Sequence, residues 1–463
     1  MIKVKLPEVL LKMNAIFRSH GHEAYLVGGA VRDMIRGKDA ADWDIATDAA
    51  PEKVCSMFHR VIPTGIAHGT VTVHFLKHEI ETTTYRTESS YSDGRHPDSV
   101  SFASNIEEDL SRRDFTMNAI AISLETGEIV DPFFGKNDIK HKVIRAVGNP
   151  RERFLEDGLR PIRAIRFASQ LSFSIEKNTF EAICADDVRK VTESISLERF
   201  RDEFLKILKS EKPSVGLKLL EQTGILQYFI PEFSACRGCV QGDGRGFHDF
   251  DVADHLFYAC DGAPSKKPLV RLAALLHDIA KPDVKRIETF NGNEIFTFYD
   301  HENVGAKKTE KIMTRLKFSN AEIAAVCHLV KNHMFHYESA WTDAAVRRFL
   351  MRVRRENVED LFDLRLADVY GMHNVKVSEL SPTVSNLNEL SDRIKAVESA
   401  NSALSLKDLA VNGSDLIKIG IKPGKKLGWI LNELLESVVD EPDANTKERL
   451  IFMAKRLLEE SGN

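Results

Sequence analysis

No stretch of the chain strings together the roughly 18 apolar residues that a membrane span needs, and its start carries no signal-like apolar core. A membrane-spanning helix is therefore excluded and no secretory leader is expected. Cysteine is scarce, with six in 463 residues. Cys55, Cys184, Cys236, Cys239, Cys260 and Cys327 make no disulfide framework, so a reduced, cytoplasmic protein is expected. Cys236-Arg237-Gly238-Cys239 has the spacing of half a zinc knuckle, but no second Cys pair follows, and it reads as a loop with two thiols. An excess of one charge is also missing: 64 Lys and Arg stand against 69 Asp and Glu, a net charge of −5. That excludes a uniformly basic, histone-like protein, though a basic stripe on an acidic body still permits a nucleic-acid partner. There is neither an internal repeat nor a low-complexity tract.

What is present is enough apolar material, 43% of residues, for real cores in roughly three domains of about 150 residues. Met1 to Glu8 reads as the beginning of a helix. Val71–Leu76 and Glu79–Tyr85 are β-branched or alternating runs split by a short polar turn, the pattern of a hairpin. A polar loop follows from Glu88 to Pro97. From about Asn149 strand signals thin out, and Leu155, Leu159, Ile162, Ile165, Arg166 and Ala168 fit one amphipathic helix. Helical sequence then continues, broken near Gly238–Gly246 and Leu380–Pro382. The expected boundaries are a head at 1–145, a helical neck at 146–210, a helical body at 211–380 and a helical tail at 381–463.

In the head, an apolar strand at Tyr25-Leu26-Val27 runs into Gly28-Gly29 and a helix start carrying Arg32. Glycines at such a junction let backbone approach a phosphate, and helix N-terminal N–H groups favour anions. Asp42 and Asp44, two apart on a predicted strand, would present their carboxylates side by side. Such a pair repels itself unless a hard cation such as Mg²⁺ intervenes. Glu81, on the following hairpin, is a candidate third carboxylate for a two-metal phosphoryl-transfer site. In Ser111-Arg112-Arg113-Asp114-Phe115-Thr116-Met117-Asn118-Ala119, arginine forks beside an aspartate suit phosphate and sugar hydroxyls.

Together these segments resemble the head of the tRNA nucleotidyltransferase/poly(A) polymerase family, within the polymerase-β-like nucleotidyltransferases. The resemblance rests on Gly-Gly-x-Val-Arg-Asp, Asp-x-Asp, the Thr-Thr-x-Arg strand ending at Arg86 and Arg-Arg-Asp-Phe-Thr-x-Asn-Ala, in matching order and spacing. It implies an α+β protein: a nucleotidyltransferase head with a small mixed sheet, followed by an all-helical neck, body and tail. It also implies nucleotide contacts at Gly28, Gly29, Arg32, Arg113, Asp114 and Asn118.

The neck carries Glu156-Asp157-Gly158-Leu159-Arg160-Pro161-Ile162-Arg163-Ala164-Ile165-Arg166. Read as one helix, it spaces Asp157, Arg160 and Arg163 by three along a face, and Pro161 inside it forfeits one backbone hydrogen bond and is expected to kink it. Cytosine and adenine both offer an amino donor beside a ring-nitrogen acceptor; a carboxylate and a guanidinium match that pair. Uracil and guanine present the opposite polarity and would leave groups unpaired, at roughly 1–3 kcal/mol each. The segment is similar to the Glu-Asp-x-x-Arg base reader of class II CCA-adding enzymes. That likeness implies Asp157 and Arg160 as readers of CTP and ATP, and Arg163 and Arg166 as further nucleotide contacts. Gly65-Ile66-Ala67-His68-Gly69-Thr70 resembles the CCA-adding branch rather than poly(A) polymerases, the alternative within the family. The long loop containing Asp93-Gly94-Arg95-His96-Pro97 favours complete CCA addition, or addition of the terminal A, over CC addition. The partner implied is the tRNA 3′ end.

In the body, His255, His277-Asp278 and Asp368, with His301 and His333 between them, are ligand types for a divalent transition metal. The order His…His-Asp…Asp resembles the HD phosphohydrolase superfamily, which implies a second divalent metal at His255, His277, Asp278 and Asp368. A metal-dependent phosphohydrolase acting on nucleotides or RNA ends is thus a second functional alternative. In the tail, Pro423-Gly424-Lys425-Lys426 at a predicted helix start offers N–H groups and ammoniums to a phosphate. Arg347-Arg348 with Arg352, Arg354 and Arg355 is the densest basic stretch, able to track an RNA backbone.

Overall fold

The computed structural model describes residues 5–40, 42–66, 69–89, 99–241, 249–290, 293–400 and 404–460. The loop residues Asp93–Pro97, and Ala67 and His68, lie outside the described residues. The chain forms two compact units, Met1–Ser234 with Arg315–Lys317, and Ala235–Thr314 with Phe318–Asn463.

The first unit opens with the helix Glu8–Ser19, which starts at Glu8 because Pro7 at the N-cap cannot continue it backwards. Its sheet is built from β1 (Ala24–Val27), β2 (Asp44–Thr47), β3 (Val61–Gly65), β4 (Thr70–Phe75) and β5 (His78–Thr84). A separate hairpin of β6 (Arg86–Ser89) and β7 (Ser99–Phe102) follows, and β8 (Ala121–Ser123) and β9 (Ile129–Val130) complete the sheet. The seven strands run in the order β3-β4-β5-β2-β1-β8-β9. The expected hairpin is β4–β5, closed by Leu76 and Lys77 at φ +47° and +70°. Two consecutive positive φ values are what a two-residue turn needs to match strand twist. Alternation along β4 and β5 buries Val71, Val73, Ile80 and Thr82, while Leu26, Ile45 and Ile122 fill the centre.

β2 pairs parallel with β5, and it is antiparallel to β1. The first residue of β2 is Asp44, so Asp42 lies in the approach to the strand instead of on it. The expected pairing of the two aspartates on one strand face is therefore corrected: the strand begins two residues after Asp42.

The neck differs from the single helix expected. One helix spans Pro150–Glu156 and a second spans Leu159–Leu171. Asp157 between them is extended, at φ −143° and ψ 110°, and its Oδ1 accepts the Leu159 N–H at 2.9 Å. Gly158 is packed so closely on Val191 that a Cβ would lie 2.5 Å from the carbonyl oxygen. Pro161 falls in the first turn of the second helix, where its missing N–H breaks no intrahelical bond.

The second unit is helical, with one hairpin, Arg286–Phe290 against Asn293–Thr297. This departs from an all-helical body; the sequence signal was Phe290-Asn291-Gly292-Asn293 between β-branched runs. Toward the C-terminus, Leu416, Ile430, Leu434, Val438 and Leu450 form a separate buried cluster. The helix after Pro423-Gly424 does begin at Lys425. The basic stretch is partly spent on structure: Arg347 is buried and donates to the Val439 carbonyl, while Arg348 pairs with Glu436 and Asp440. Among the described residues no helix is long and apolar enough to cross a membrane.

Candidate active site and a second histidine–aspartate centre

The turn after β1 carries Gly28 at φ +73°, a conformation that excludes most side chains. A Cβ there would come within 3.3 Å of Asp44 Oδ2 and 3.4 Å of Arg113 Nη1. Gly28 thus lets an anionic and a cationic side chain approach the same turn. Next to it, Asp44 and Glu81 stand in register on the parallel strands β2 and β5.

These residues open into a cleft of about 580 Å³. It brings together Gly28, Gly29, Arg32, Asp44, Glu81, Arg113, Asp114, Asn118, Asp157, Arg160, Arg163 and Arg166, all expected from sequence. Asp42 is exposed and does not line the cleft, but its charge reaches Asp44. Sequence reasoning missed Thr70, Thr83, Phe167 and Arg199 in the lining. Arg86 and Arg112, from the Thr-Thr-x-Arg and Arg-Arg-Asp segments, also line it. Eight arginines face four carboxylates here, a surplus of positive charge that suits a polyanion.

Asp44 keeps solvent access, yet the surrounding protein removes enough water to push its carboxyl up to about 6. The charges of Glu81 and Asp42 push the same way, and Arg113 opposes them. A carboxylate held against two others is a suitable hard-oxygen ligand set for a divalent cation.

The arginines are held by a connected network. Arg32 Nη1 donates to Asn118 Oδ1 at 3.0 Å, and Asn118 Nδ2 donates to Asp114 Oδ1 at 3.1 Å. Arg163 donates to Asp114 Oδ2 from Nε at 2.8 Å and from Nη2 at 2.6 Å. Asp114 is buried, which works against its charge, but Arg163 and Asn118 hold its carboxyl down at about 2. Its carboxylate serves Arg163, Asn118 and the Phe115 N–H within the cleft. The Arg166, Arg32 and Arg163 guanidinium carbons lie 3.9, 5.3 and 5.5 Å from the centre of the Phe167 ring. The ring gives three like charges a shared apolar support. Burial lowers Arg166 to about 10, with Glu203 opposing.

Asp157 and Arg160 both line the cleft, and their side chains take other partners. Arg199 Nη2 donates to both Asp157 oxygens, at 3.0 and 2.9 Å. Arg160 donates to Glu156 and to the carbonyls of Arg153 and Arg112. A carboxylate has about four acceptor sites, so Asp157 retains room for one more donor.

In the second unit the expected four residues converge. His255 Nε2 lies 3.1 Å from His277 Nε2, 3.4 Å from Asp278 Oδ2 and 3.3 Å from Asp368 Oδ1. All four are buried. His301 and His333, absent from the expected ligand set, join the same cluster. Arg365 Nη1 holds Asp368 Oδ2 at 2.9 Å.

Comparison with known proteins gives three family matches in chain order. Residues 24–145 match the poly A polymerase head domain, 172–236 a probable RNA- and SrmB-binding site of polymerase A, and 294–454 a tRNA nucleotidyltransferase domain 2. The CCA-adding enzyme of Levilactobacillus brevis is 35% identical over 439 residues, 93% of each chain. That of Anoxybacillus flavithermus is 47% identical over 217 residues, covering 47% of this chain and 54% of its own. Among solved structures, the Bacillus stearothermophilus CCA-adding enzyme in complex with CTP is similar with a TM-score of 0.72 and 27% identity over 98% of both chains.

Proposed function

Because the chain belongs to the CCA-adding enzyme family of tRNA nucleotidyltransferases, we propose that it extends tRNA 3′ ends with CCA, or with the terminal A, from CTP and ATP. The observation that carries this reading is the in-register Asp44–Glu81 pair in an arginine-rich cleft that Asp157 and Arg160 also line. The family depends on a divalent metal, and we take it to be Mg²⁺. Asp44 and Glu81 would hold it with Asp42 drawn in from the adjoining loop, and their oxygen donors fit a hard cation. When bound, it supplies neutralisation of the triphosphate and activation of the attacking 3′-hydroxyl.

The chain's own residues do the remainder. Gly28 and Gly29 leave space for phosphate oxygens against backbone, and Arg32 and Arg113 donate to them. Asn118 and Asp114 act through others: they aim Arg32 and Arg163 at the nucleotide. Asp157 accepts from the amino group of cytosine or adenine while Arg160 donates to the ring nitrogen. Arg199 holds the Asp157 carboxylate in position. Uracil and guanine would meet acceptor with acceptor and donor with donor. The unpaired thiols fit a reducing, cytoplasmic setting.

The test uses three tRNA transcripts, ending before CCA, after C and after CC, each given CTP, ATP or both with Mg²⁺. Three additions to the shortest transcript and then a stop support complete CCA addition. A single A on the CC-ended transcript alone makes the enzyme A-adding. A long A ladder would mean poly(A) synthesis, and no extension would overturn the reading.

A second reading concerns the other unit. The convergence of His255, His277, Asp278 and Asp368 favours a divalent metal there, with phosphohydrolase chemistry on nucleotides or RNA ends.

A further inference from the structure

The two aspartates of the head are fixed by different means. Asp44 opens β2 and is set by its ladder partner Glu81 on β5. Asp42 stands before the strand and is exposed, yet its charge reaches the Asp44 carboxyl. The residue between them, Trp43, is half-buried and makes two contacts that bear on where Asp42 goes. Its ring packs against the His78 ring, with centroids 4.9 Å apart and planes tilted by 44°. Its Nε1–H donates to the Ala40 carbonyl at 2.9 Å, so one side chain ties the chain on either side of Asp42.

His78 identifies the face of the sheet on which Trp43 is anchored. It opens β5, and residues along a strand alternate between faces. Ile80, Thr82 and Thr84 fall on the His78 side and are buried, while Glu81 and Thr83 fall on the other side and line the cleft. Trp43 is thus held on the face away from the cleft, and Asp44 lines the cleft itself. One step further back along an extended chain returns to the Asp44 side. The charge coupling between Asp42 and Asp44 agrees with that placement. The ring contact therefore does for Asp42 what the strand ladder does for Asp44.

We propose that Trp43 is a positioning residue for the metal site of the head: packed on His78, it holds Asp42 on the cleft side, where it can join Asp44 around a divalent cation. The inference rests on the reading of Asp42 and Asp44 as Mg²⁺ ligands and adds two residues that touch neither metal nor nucleotide. A tethered segment loses less freedom when a cation draws its carboxylate in, so less of the binding energy is spent on ordering. His78 acts through its ring contact with Trp43, because its place on the strand turns it from the cleft.

The chain has three tryptophans, so Trp341→Phe/Trp429→Phe leaves Trp43 as the single indole of the full-length protein. Mg²⁺ is titrated into this chelator-stripped parent while Trp43 emission is followed, and the Mg²⁺ dependence of extending a CC-ended tRNA transcript is measured beside it. A saturable emission change that Asp44→Asn abolishes is expected. His78→Ala should raise the Mg²⁺ midpoint of both curves roughly three- to tenfold, the size of one aromatic pair, with KM for ATP at saturating Mg²⁺ unchanged. His78→Phe keeps a ring but cannot bind a metal, and it should restore both midpoints. Unmoved midpoints in His78→Ala overturn the positioning role and leave the metal reading standing. An emission response that survives Asp44→Asn puts the metal elsewhere and overturns both. A loss in His78→Phe as deep as in His78→Ala also overturns the ring anchor. If the parent emission does not respond, the Mg²⁺ midpoint of extension decides by the same comparison. If His78→Ala is unfolded by circular dichroism, Trp43→Leu is set against Trp43→Phe: a raised midpoint in Trp43→Leu alone supports the anchor, and equal midpoints refute it.

Discussion

Asp44 and Glu81 are register partners on the parallel strands β2 and β5, and the charge of Glu81 bears on the Asp44 carboxyl. Their proximity costs stability until a cation joins them. Asp44→Asn should therefore abolish nucleotide transfer, a loss of at least roughly 10³-fold if several kcal/mol of charge stabilisation disappear. The same substitution should raise the melting temperature of the metal-free protein, because it removes a charge that burial and Glu81 disfavour. A melting curve beside a primer-extension assay checks both; a lowered melting temperature would refute the strain.

The sign of the Asp44 shift also fixes a pH dependence. Its carboxyl is raised from 3.8 to about 6, so protons compete with metal below that value. Apparent Mg²⁺ affinity should fall as pH drops through about 6, by roughly tenfold per unit. Titrations of Mg²⁺-dependent extension between pH 5 and 8 would show it, and a flat profile would count against Asp44 as a ligand.

Asp114 shifts the other way, from 3.8 to about 2. A depressed carboxyl stabilises the fold above its unfolded value, and the benefit is lost as pH falls through the folded value. Asp114→Asn should cost about 2 kcal/mol at pH 7 by urea unfolding. The difference from wild type should begin to close below about pH 4. An unchanged midpoint at pH 7 would remove Asp114 from the supporting network.

Arg160→Ala should admit UTP and GTP more than it weakens CTP and ATP binding, read as a ratio of kcat/KM values. Arg199→Ala, which frees Asp157 to turn away, should raise KM for both correct nucleotides roughly tenfold, for a loss near 1.4 kcal/mol. Primer binding should be unaffected. Equal loss of all four nucleotides in Arg160→Ala would contradict a base-reading role.

Residues close together in the chain gave the clearest sequence signals. The strand-Gly-Gly-helix turn and the β4–β5 hairpin could be read from local alternation and glycine placement, and both stand where expected. Glu81 could be suspected as a third carboxylate, but its register with Asp44 depends on a parallel pairing that no local pattern encodes. The neck was misread because Leu155, Leu159 and Ile162 keep helical spacing across the break at Asp157–Gly158. The break arises from the close packing of Gly158 on Val191, a tertiary effect. Arg199 was invisible for a similar reason: its helix, Leu197–Leu208, looks like any amphipathic segment until it is docked beside Asp157. His301 and His333 lacked a motif of their own, and only convergence on Asp278 distinguishes them from ordinary buried histidines.

The strand order has a consequence for biosynthesis. Asp44 leaves the ribosome before β5, its parallel neighbour, β1 waits for β8 to flank it, and Arg163 and Arg199 emerge later still. A growing chain thus displays Asp44 long before most of the residues that share its cleft. Non-local pairing of this kind is slow relative to local helix formation. The earliest moment at which a nascent chain could act on RNA therefore comes only after the neck has been translated.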